Sequence, residues 1–178
     1  ELLGESVYGL TELHRGDIAK ARVVGNPGCF AMSCTLALVP AVQNGLVDLE
    51  GLVCDCKTGV SGAGKKPRQA FHYPEQYDSA YAYRLSGHQH VMEIEHELCR
   101  IAGSEVRVTF TPQVIPMTRG ILTTVYGRLQ AGIGQDLIPA GVHELPLVVH
   151  HVVVLQQVLA DLEVPLLHPP LGPFDRLV

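Results

Sequence analysis

The sequence predicts an α+β domain in which a mixed sheet carries its helices on one face. Segments with strand periodicity outnumber the helical segments, and the helices do not alternate regularly with the strands. The chain has 178 residues, about the length of one domain, and 47% of them are apolar, which is enough to bury a core. These observations favour a folded chain with a mixed sheet.

The first predicted elements are a short strand at 22–25 and a helix at 29–43. The strand is followed by the turn Asn26-Pro27-Gly28, and the helix is mostly apolar up to its stop signal, Asn44-Gly45. Pro40 lies late in this helix. Because proline lacks an amide hydrogen, we expect it to kink or shorten the helix.

The later elements follow from alternation, helical spacing and loop composition. Residues 92–102 place Ile94, Leu98 and Ile101 on one helical face, and Gly103 is a stop signal. Strands are predicted at 52–57, 80–85, 106–110 and 120–129, and a long loop at 58–79. Loops of that length are uncommon and are usually functional or mobile.

A change of composition near Gly132 divides the chain into two predicted segments. Residues 1–131 carry 12 basic and 13 acidic side chains, whereas residues 132–178 carry one basic side chain, five acidic side chains and six of the 12 prolines. We therefore expect a folded domain at 1–131 and a divergent tail at 132–178. Apolar residues at helical spacing predict one amphipathic helix in that tail, near 147–162.

The composition also excludes several classes of function. Lys and Arg number 13 against 18 Asp and Glu, a net charge of −5, which argues against nucleic-acid binding. No apolar run reaches the roughly 18 residues of a transmembrane helix, so no membrane partner is expected. The five cysteines show no regular spacing, which predicts free thiols in a cytoplasmic protein. Because the chain begins at Glu1 and not at Met, we expect it to be a piece of a longer protein.

Cys29 is the first candidate functional residue. It stands where a strand and a tight turn lead into a helix, so unpaired amide groups and the helix dipole favour an anion there. A thiolate is such an anion, which makes Cys29 a candidate nucleophile; the alternative is a small core residue. Structural positions are predicted for Cys34, Cys54, Cys56 and Cys99.

Two histidines form the second candidate group. In the segment 87–90 (GHQH), an extended backbone would place His88 and His90 on one face. A histidine is the usual proton-transfer partner of a nucleophilic cysteine. One alternative is a zinc site that also uses His96, and another is a pair of polar side chains at a helix entry. No acidic or thiol ligand accompanies the histidines at a suitable spacing, so we predict no metal.

A glycine-rich segment and an arginine are candidates for anion binding. Residues 59–66 resemble a P-loop, but a second lysine replaces its Ser or Thr, and a proline follows where a helix should begin. We therefore reject a nucleoside-triphosphate site and expect only a close backbone approach to a phosphate near Lys65, Lys66 and Arg68; the alternative is a solvated loop. Arg119, beside a glycine at the entrance to a strand, is a candidate partner for a carboxylate or phosphate.

Five stretches in this order resemble the N-acetyl-gamma-glutamyl-phosphate reductase family of arginine biosynthesis. They are 7–12 (VYGLTE), 24–31 (VGNPGCFA), 57–64 (KTGVSGAG), 87–90 (GHQH) with 93–95 (EIE), and 116–122 (PMTRGIL). The set is highly specific and spans residues 7 to about 129. The resemblance implies the catalytic domain of a two-domain reductase related to glyceraldehyde-3-phosphate and aspartate-semialdehyde dehydrogenases. The other domain, a Rossmann domain that binds NADP, is expected to be missing, because no glycine-rich fingerprint follows a first strand.

The resemblance implies a reaction, the reduction of N-acetyl-glutamyl 5-phosphate by NADPH to N-acetyl-glutamate 5-semialdehyde, with release of phosphate. It implies that Cys29 attacks the acyl phosphate to form a thioester. Hydride from NADPH would reduce the thioester to a thiohemiacetal, which collapses to the aldehyde. A histidine would protonate the developing oxygen, and His90 is favoured over His88 for this role.

Further site residues and partners are implied by the same resemblance. Ser61 and Gly62 would lie against the nicotinamide end of NADP, and the substrate's anionic groups would be bound by Arg119, Asn26 and Lys65. The expected partners are a small-molecule acyl phosphate, phosphate and, in the full-length protein, further copies of the same chain.

The tail departs from the family. From about Gly132 no match is visible, and we hypothesise that residues 132–178 are not the ancestral continuation but result from a frameshift or a gene-model error. One alternative function is a related acyl-phosphate or semialdehyde dehydrogenase with another substrate. Another is a non-catalytic remnant that associates with other subunits. We expect this chain alone to be inactive, because half of the cofactor site would be missing.

Overall fold

The computed structural model describes residues 2–131, which form a sheet covered by helices. In chain order the helices and strands are β1 (Ser6–Tyr8), α1 (Thr11–Ile18), β2 (Val23–Gly25), α2 (Cys29–Gln43), β3 (Leu52–Thr58), α3 (Tyr73–Gln76), β4 (Tyr81–Ala82), α4 (His90–Ala102), β5 (Val108–Val114) and β6 (Ile121–Tyr126). Single 3-10 turns lie at Leu2–Glu5, Val60–Ala63 and Gln69–Phe71.

Four of these strands form a mixed sheet in the order β4-β5-β3-β6. The central strand β3 pairs in parallel with β5, with Leu52 opposite Val108 and Thr58 opposite Val114, and it pairs antiparallel with β6. A parallel pair requires a crossover connection, which here contains α4. The strands β1 and β2 form a separate parallel pair.

The helices α2 and α4 pack together against one face of the mixed sheet. Alternate residues of β3 are buried, as expected of a strand with one covered face. Cys34 of α2 lies 3.3 Å from Cys56 of β3, measured between the two Sγ atoms. The ring of Phe30, also on α2, contacts that of Phe110 on β5 at a centroid distance of 5.5 Å. The predicted α+β class, with a mixed sheet and helices on one face, is confirmed.

Both long helices were predicted close to their observed limits. The α2 helix spans the predicted residues and passes through Pro40 to Gln43, so proline does not shorten it. The α4 helix begins at His90 and not at Met92 as predicted. It ends at Gly103, whose φ of 66° lies in the left-handed region that glycine adopts easily, as its stop signal indicated.

The predicted strand at 80–85 is too long, because β4 has only two residues. The next residue, Tyr83, lies opposite Pro112 of β5 and donates its N–H to the Pro112 carbonyl at 3.1 Å. Proline has no N–H to donate in return, so the ladder of hydrogen bonds stops there. Arg84 then adopts a φ of 45°, which turns the chain out of the strand conformation.

Two other predicted strands differ in extent. The strand predicted at 106–110 is β5, which begins at Val108 and continues to Val114. The strand predicted at 120–129 is β6, which ends at Tyr126; Leu129 forms a separate bridge with Val47.

Some elements had no counterpart in the sequence analysis. The loop predicted at 58–79 contains two 3-10 turns and the short helix α3, and the N-terminal elements β1 and α1 were not predicted. Within residues 2–131, no helix is both long and apolar enough to cross a membrane. The predicted tail at 132–178, with its helix near 147–162, lies outside the described residues.

The packing of α2 on the sheet predicts a large loss of stability when Leu38 is truncated. This side chain is fully buried, so Leu38→Ala should lower the free energy of unfolding by about 2–5 kcal/mol through lost burial and a cavity. Leu122→Ala is the matched control, because Leu122 is 59% exposed, and it should lower this free energy by less than about 1 kcal/mol. Denaturant unfolding measures both, and equal losses would contradict the packing described here.

Candidate active site

Cys29 is the first residue of α2, directly after the turn that follows β2. Gly28 caps the helix in an extended conformation, with φ −61° and ψ 142°. Its carbonyl accepts the first hydrogen bond of the helix, from the Met32 N–H at 2.9 Å. The Cys29 thiol is exposed, and the first turn contains no acidic side chain. The positive end of the helix dipole therefore acts on the sulfur without a competing negative charge on that turn.

The carboxylate of Glu93 ties this turn to α4. Its Oε2 atom accepts a hydrogen bond from the Gly28 N–H and another from the Tyr8 hydroxyl, each at 2.9 Å. Burial, together with this hydrogen bond, raises the pKa of Tyr8, so the phenol stays a neutral donor. Position 28 also requires glycine, because a Cβ there would overlap the His90 imidazole. Glu93 and His90 thus fix the backbone just before the cysteine.

His88 and His90 lie side by side, with ring centroids 4.7 Å apart. Both rings contact Phe30 edge-on, at centroid distances of 6.0 Å and 5.9 Å. An extended segment would place the two histidines on one face, as predicted from the sequence, but His90 is the first residue of a helix. The rings meet because the chain turns into α4 at this point and both pack against the same phenylalanine.

Hydrogen bonding and burial determine the tautomer of His88 and the protonation state of both imidazoles. The backbone N–H of His90 donates to Nδ1 of His88 at 3.2 Å, so a neutral His88 carries its proton on Nε2. Burial lowers the pKa of both histidines, and the neighbouring His90 and Arg84 lower that of His88 further. The Glu93 carboxylate opposes the effect of burial on His90. Both rings are therefore neutral at pH 7.

Cys29 and both histidines open into one cavity of about 440 Å³. Part of the remaining wall comes from the end of β3 and from the glycine-rich turn, residues 59–64. Another part comes from the 3-10 turn Gln69–Phe71 and from the segment between β4 and Arg84. Arg68 and Arg84 line this cavity, and no Asp or Glu is among its lining residues. The cavity is therefore suited to a ligand with negative charge.

The glycine-rich turn is held in place by the backbone of a distant segment. The Gly59, Val60 and Ser61 amides donate to carbonyls in the segment 117–120, at 2.9–3.0 Å. Gly59 is required, because a Cβ there would lie 2.8–2.9 Å from backbone atoms of that segment. The two motifs that the sequence analysis singled out separately are thus joined directly through their backbones.

The structure brings together some of the predicted site residues but not all. Cys29, His88, His90 and Gly62 line the cavity, and Ser61 is the exposed neighbour of Gly62. Three predicted anion-binding residues are exposed and do not line it: Asn26, Lys65 and Arg119.

Two functional features were missed by the sequence analysis. One is Arg84 in the cavity wall, and the other is the hydrogen bonding of Glu93 to Gly28 and Tyr8. Glu93 was noted only as part of a family motif, and nothing in the local pattern marks Arg84. The one signal for Arg84 in the sequence is its position shortly before His88 and His90.

The other four cysteines occupy structural positions, as predicted. Cys34, Cys54 and Cys56 are fully buried, and the Cys99 sulfur accepts a hydrogen bond from the Val106 N–H at 3.1 Å. Among residues 2–131, Cys29 is the only exposed cysteine. In the same part of the chain, no group of three or more His, Cys, Asp or Glu side chains is arranged to hold a metal ion.

Comparison with known sequences gives consistent matches. The family described as "Semialdehyde dehydrogenase, dimerisation domain" matches residues 29–156, a range that runs past the composition boundary at Gly132. A protein of Syntrophobacter fumaroxidans named N-acetyl-gamma-glutamyl-phosphate reductase is 49% identical over 140 residues, which is 79% of this chain and 41% of that protein. Its namesake from Pelotomaculum thermopropionicum is 48% identical over 138 residues, 78% of this chain and 40% of that protein. The chain thus spans about two fifths of these relatives.

Solved structures show the same fold. Aspartate semialdehyde dehydrogenase II from Vibrio cholerae matches with a TM-score of 0.56 at 17% identity, over 75% of this chain and 47% of that one. Aspartate semialdehyde dehydrogenase from Francisella tularensis matches with a TM-score of 0.51 at 13% identity, over 74% of this chain and 50% of that one. At these identities the likeness concerns the fold alone.

The contact between Gly28 and His90 predicts that Gly28→Ala slows alkylation of Cys29. The added methyl group must displace the imidazole or the turn, and we expect the iodoacetamide rate at Cys29 to fall roughly ten- to hundred-fold. Peptide mass spectrometry after timed labelling measures the rate. Gly16→Ala is the control, because a Cβ at position 16 meets no atom within 4 Å, and it should leave the rate unchanged. A Gly28→Ala rate equal to that of the parent would show that this contact does not position the cysteine.

The burial of His88 predicts that stability falls on acidification. Because the pKa of His88 is lowered on folding, the unfolded chain binds this proton more tightly. The free energy of unfolding should therefore drop as the pH falls below about 6.5, the ordinary histidine value. Denaturant unfolding at several pH values should give a shallower dependence for His88→Gln than for the parent. The exposed His72 supplies the control, His72→Gln, which should keep the parent's slope; the same slope for His88→Gln would contradict the prediction.

Proposed function

The chain belongs to the semialdehyde dehydrogenase family through its dimerisation domain, and from this we propose that it is the catalytic part of an NADPH-dependent acyl-phosphate reductase. The proposed reaction converts N-acetyl-glutamyl 5-phosphate into N-acetyl-glutamate 5-semialdehyde in arginine biosynthesis. One observation carries the proposal: an exposed cysteine at a helix start opens into a cavity with two histidines and two arginines. The names of the relatives support the choice of substrate.

In the proposed first step, the sulfur of Cys29 forms a bond to the acyl carbon of the substrate. The carbon–oxygen bond to phosphate breaks, phosphate leaves with the electron pair, and a thioester remains on Cys29. A thioester accepts hydride where a carboxylate does not, which is the chemical reason for a cysteine in this position. The position of Cys29 at the helix start favours the thiolate that this attack requires.

The two histidines suit different parts of this chemistry. Nε2 of His90 faces the backbone next to Cys29, and the nearby Glu93 carboxylate favours a positive charge on this ring. We assign proton transfer from the thiol and to the product oxygen to His90. His88 has its Nδ1 occupied by the His90 N–H, so its Nε2–H is a fixed donor. We assign to it a hydrogen bond to the developing oxyanion.

The cofactor proposed for this site is NADP. Gly62 lines the cavity next to Cys29, and the glycine-rich turn leaves Ser61 and Gly62 without bulky side chains against a flat ring. These two residues would hold the nicotinamide end. NADPH, when bound, supplies the hydride that reduces the thioester to the level of an aldehyde. The described residues fit this part of the cofactor, and the remainder requires a dinucleotide-binding domain.

We also propose that the chain works as a homo-oligomer in the cytoplasm. The matching family is a dimerisation domain, which supports self-association. All five cysteines are free thiols, as in proteins of a reducing compartment. The sheet face opposite α2 and α4 is a suitable surface, because on it Leu122 is 59% exposed.

The first half of the proposed reaction can be tested without any cofactor. Incubation with N-acetyl-glutamyl 5-phosphate should release one equivalent of phosphate per chain and place an N-acetyl-glutamyl group on Cys29, detected by peptide mass spectrometry. Cys29→Ala should abolish both results. Cys99→Ser is the matched control, because Cys99 is half-buried and its sulfur accepts a hydrogen bond from the Val106 N–H, and it should retain them.

The same assay separates the competing functions. Acylation by another acyl phosphate, and not by the N-acetyl-glutamyl compound, would indicate a related dehydrogenase with a different substrate. A chain that no acyl phosphate acylates at Cys29 would contradict the proposal and favour a non-catalytic role in subunit association.

A further inference from the structure

Arg68 and Arg84, the two basic residues of the cavity, have no carboxylate beside them in the cavity wall. Lys57, Arg100 and Arg107 each form an ion pair with a carboxylate. Within residues 2–131, none of the ion pairs includes Arg68 or Arg84. No carboxylate lines the cavity either, so the two guanidinium charges there are not compensated by the protein.

Arg84 is also held in an unusual backbone conformation. Its φ of 45° lies in the left-handed region, which favours glycine, and among residues 2–131 only Asp78 is another non-glycine residue with positive φ. The conformation is sparsely populated and persists only where the surroundings fix it. Here this conformation turns the chain away from β4 at the edge of the cavity. The preceding residue, Tyr83, also lines the cavity.

The guanidinium of Arg84 is anchored at one end. Its Nη1 donates to Oε1 of Gln89 at 2.8 Å, and Gln89 lies between the two histidines in the sequence. A guanidinium carries five N–H donors in a rigid fork. With Nη1 engaged, the edge formed by Nε and Nη2 remains available for two oxygens of a carboxylate or phosphate.

We propose that Arg84 is a specificity-determining residue that binds an oxyanion of the substrate, a carboxylate or a phosphate group, beside Cys29. Gln89 is the positioning residue that holds its guanidinium, and Arg68 adds a second positive charge to the same cavity. This inference rests on the proposed function and names the residue by which the site recognises an anionic acyl phosphate. It replaces Arg119, the candidate from the sequence, whose exposed side chain does not line the cavity. The carbonyls that support the glycine-rich turn belong to its neighbours Met117, Thr118 and Gly120.

Alkylation by a charged and a neutral reagent tests this assignment without substrate or cofactor. Iodoacetate is an anion and iodoacetamide is neutral, and both react with Cys29 at the same atom. Arg84→Gly removes the charge and suits the positive φ, so the fold is preserved. At low ionic strength the iodoacetate rate should fall about three- to ten-fold, while the iodoacetamide rate stays within about two-fold of the parent's. Arg119→Gln is the matched control and should change neither rate.

Two results of this experiment would overturn the assignment. One is an iodoacetate rate that Arg84→Gly leaves unchanged. The other is an equal fall with both reagents, which would indicate a general disturbance of Cys29 and not a loss of charge. A melting temperature of Arg84→Gly at or above that of the parent establishes that the variant is folded.

A second measurement keeps the assignment testable even if Cys29 proves unreactive and the proposed function fails. The Nε–Hε signal of Arg84 is followed by NMR while inorganic phosphate or N-acetyl-L-glutamate is added to the intact chain. A saturable shift with phosphate supports recognition of the phosphate group, and one with N-acetyl-L-glutamate supports recognition of a carboxylate. No shift with either compound would overturn the assignment, whatever the reactivity of Cys29.

Discussion

A single carboxylate oxygen holds the candidate active site together. Oε2 of Glu93 accepts hydrogen bonds from the backbone before Cys29 and from the Tyr8 hydroxyl, so it joins α4 to both the cysteine turn and β1. The same helix carries His90 at its start, packed where only a glycine leaves room. If this carboxylate moved, Cys29, His90 and the N-terminal strand pair would no longer be held in their present relative positions.

The charges around the site are arranged by sign. The carboxylates of α4 do not line the cavity: Glu93 accepts a hydrogen bond from the cysteine turn, and the buried Glu97 pairs with His14 and Arg100. The cavity itself is lined by Arg68 and Arg84 and by the two neutral histidines. In such an arrangement, negative charge on a ligand is attracted into the cavity, and the carboxylates of Glu93 and Glu97 are already engaged in hydrogen bonds and ion pairs.

The sequence predicted what depends on local pattern. The apolar run of α2, the stop at Gly103 and the cysteine at a helix start are all local signals, and the structure has them. It did not predict that β4 ends early, because the cause, Pro112, lies on another strand. Arg84 was missed for the same kind of reason, since its importance comes from a cavity wall assembled from separate segments. Arg119 was chosen as a guanidinium at the entrance to a strand, but its exposed side chain does not line the cavity.

The pairing of β3 with β5 also determines when the site can form during folding. The parallel pairing of β3 with β5 closes a long loop that contains the glycine-rich turn and both histidines. Closing such a loop costs chain entropy before any contact compensates it, so this pairing is intrinsically slow. A chain emerging during synthesis has its cysteine helix well before the strand that completes the cavity. Cys29 is therefore synthesised before the strand β5, whose Val114 lines the finished cavity.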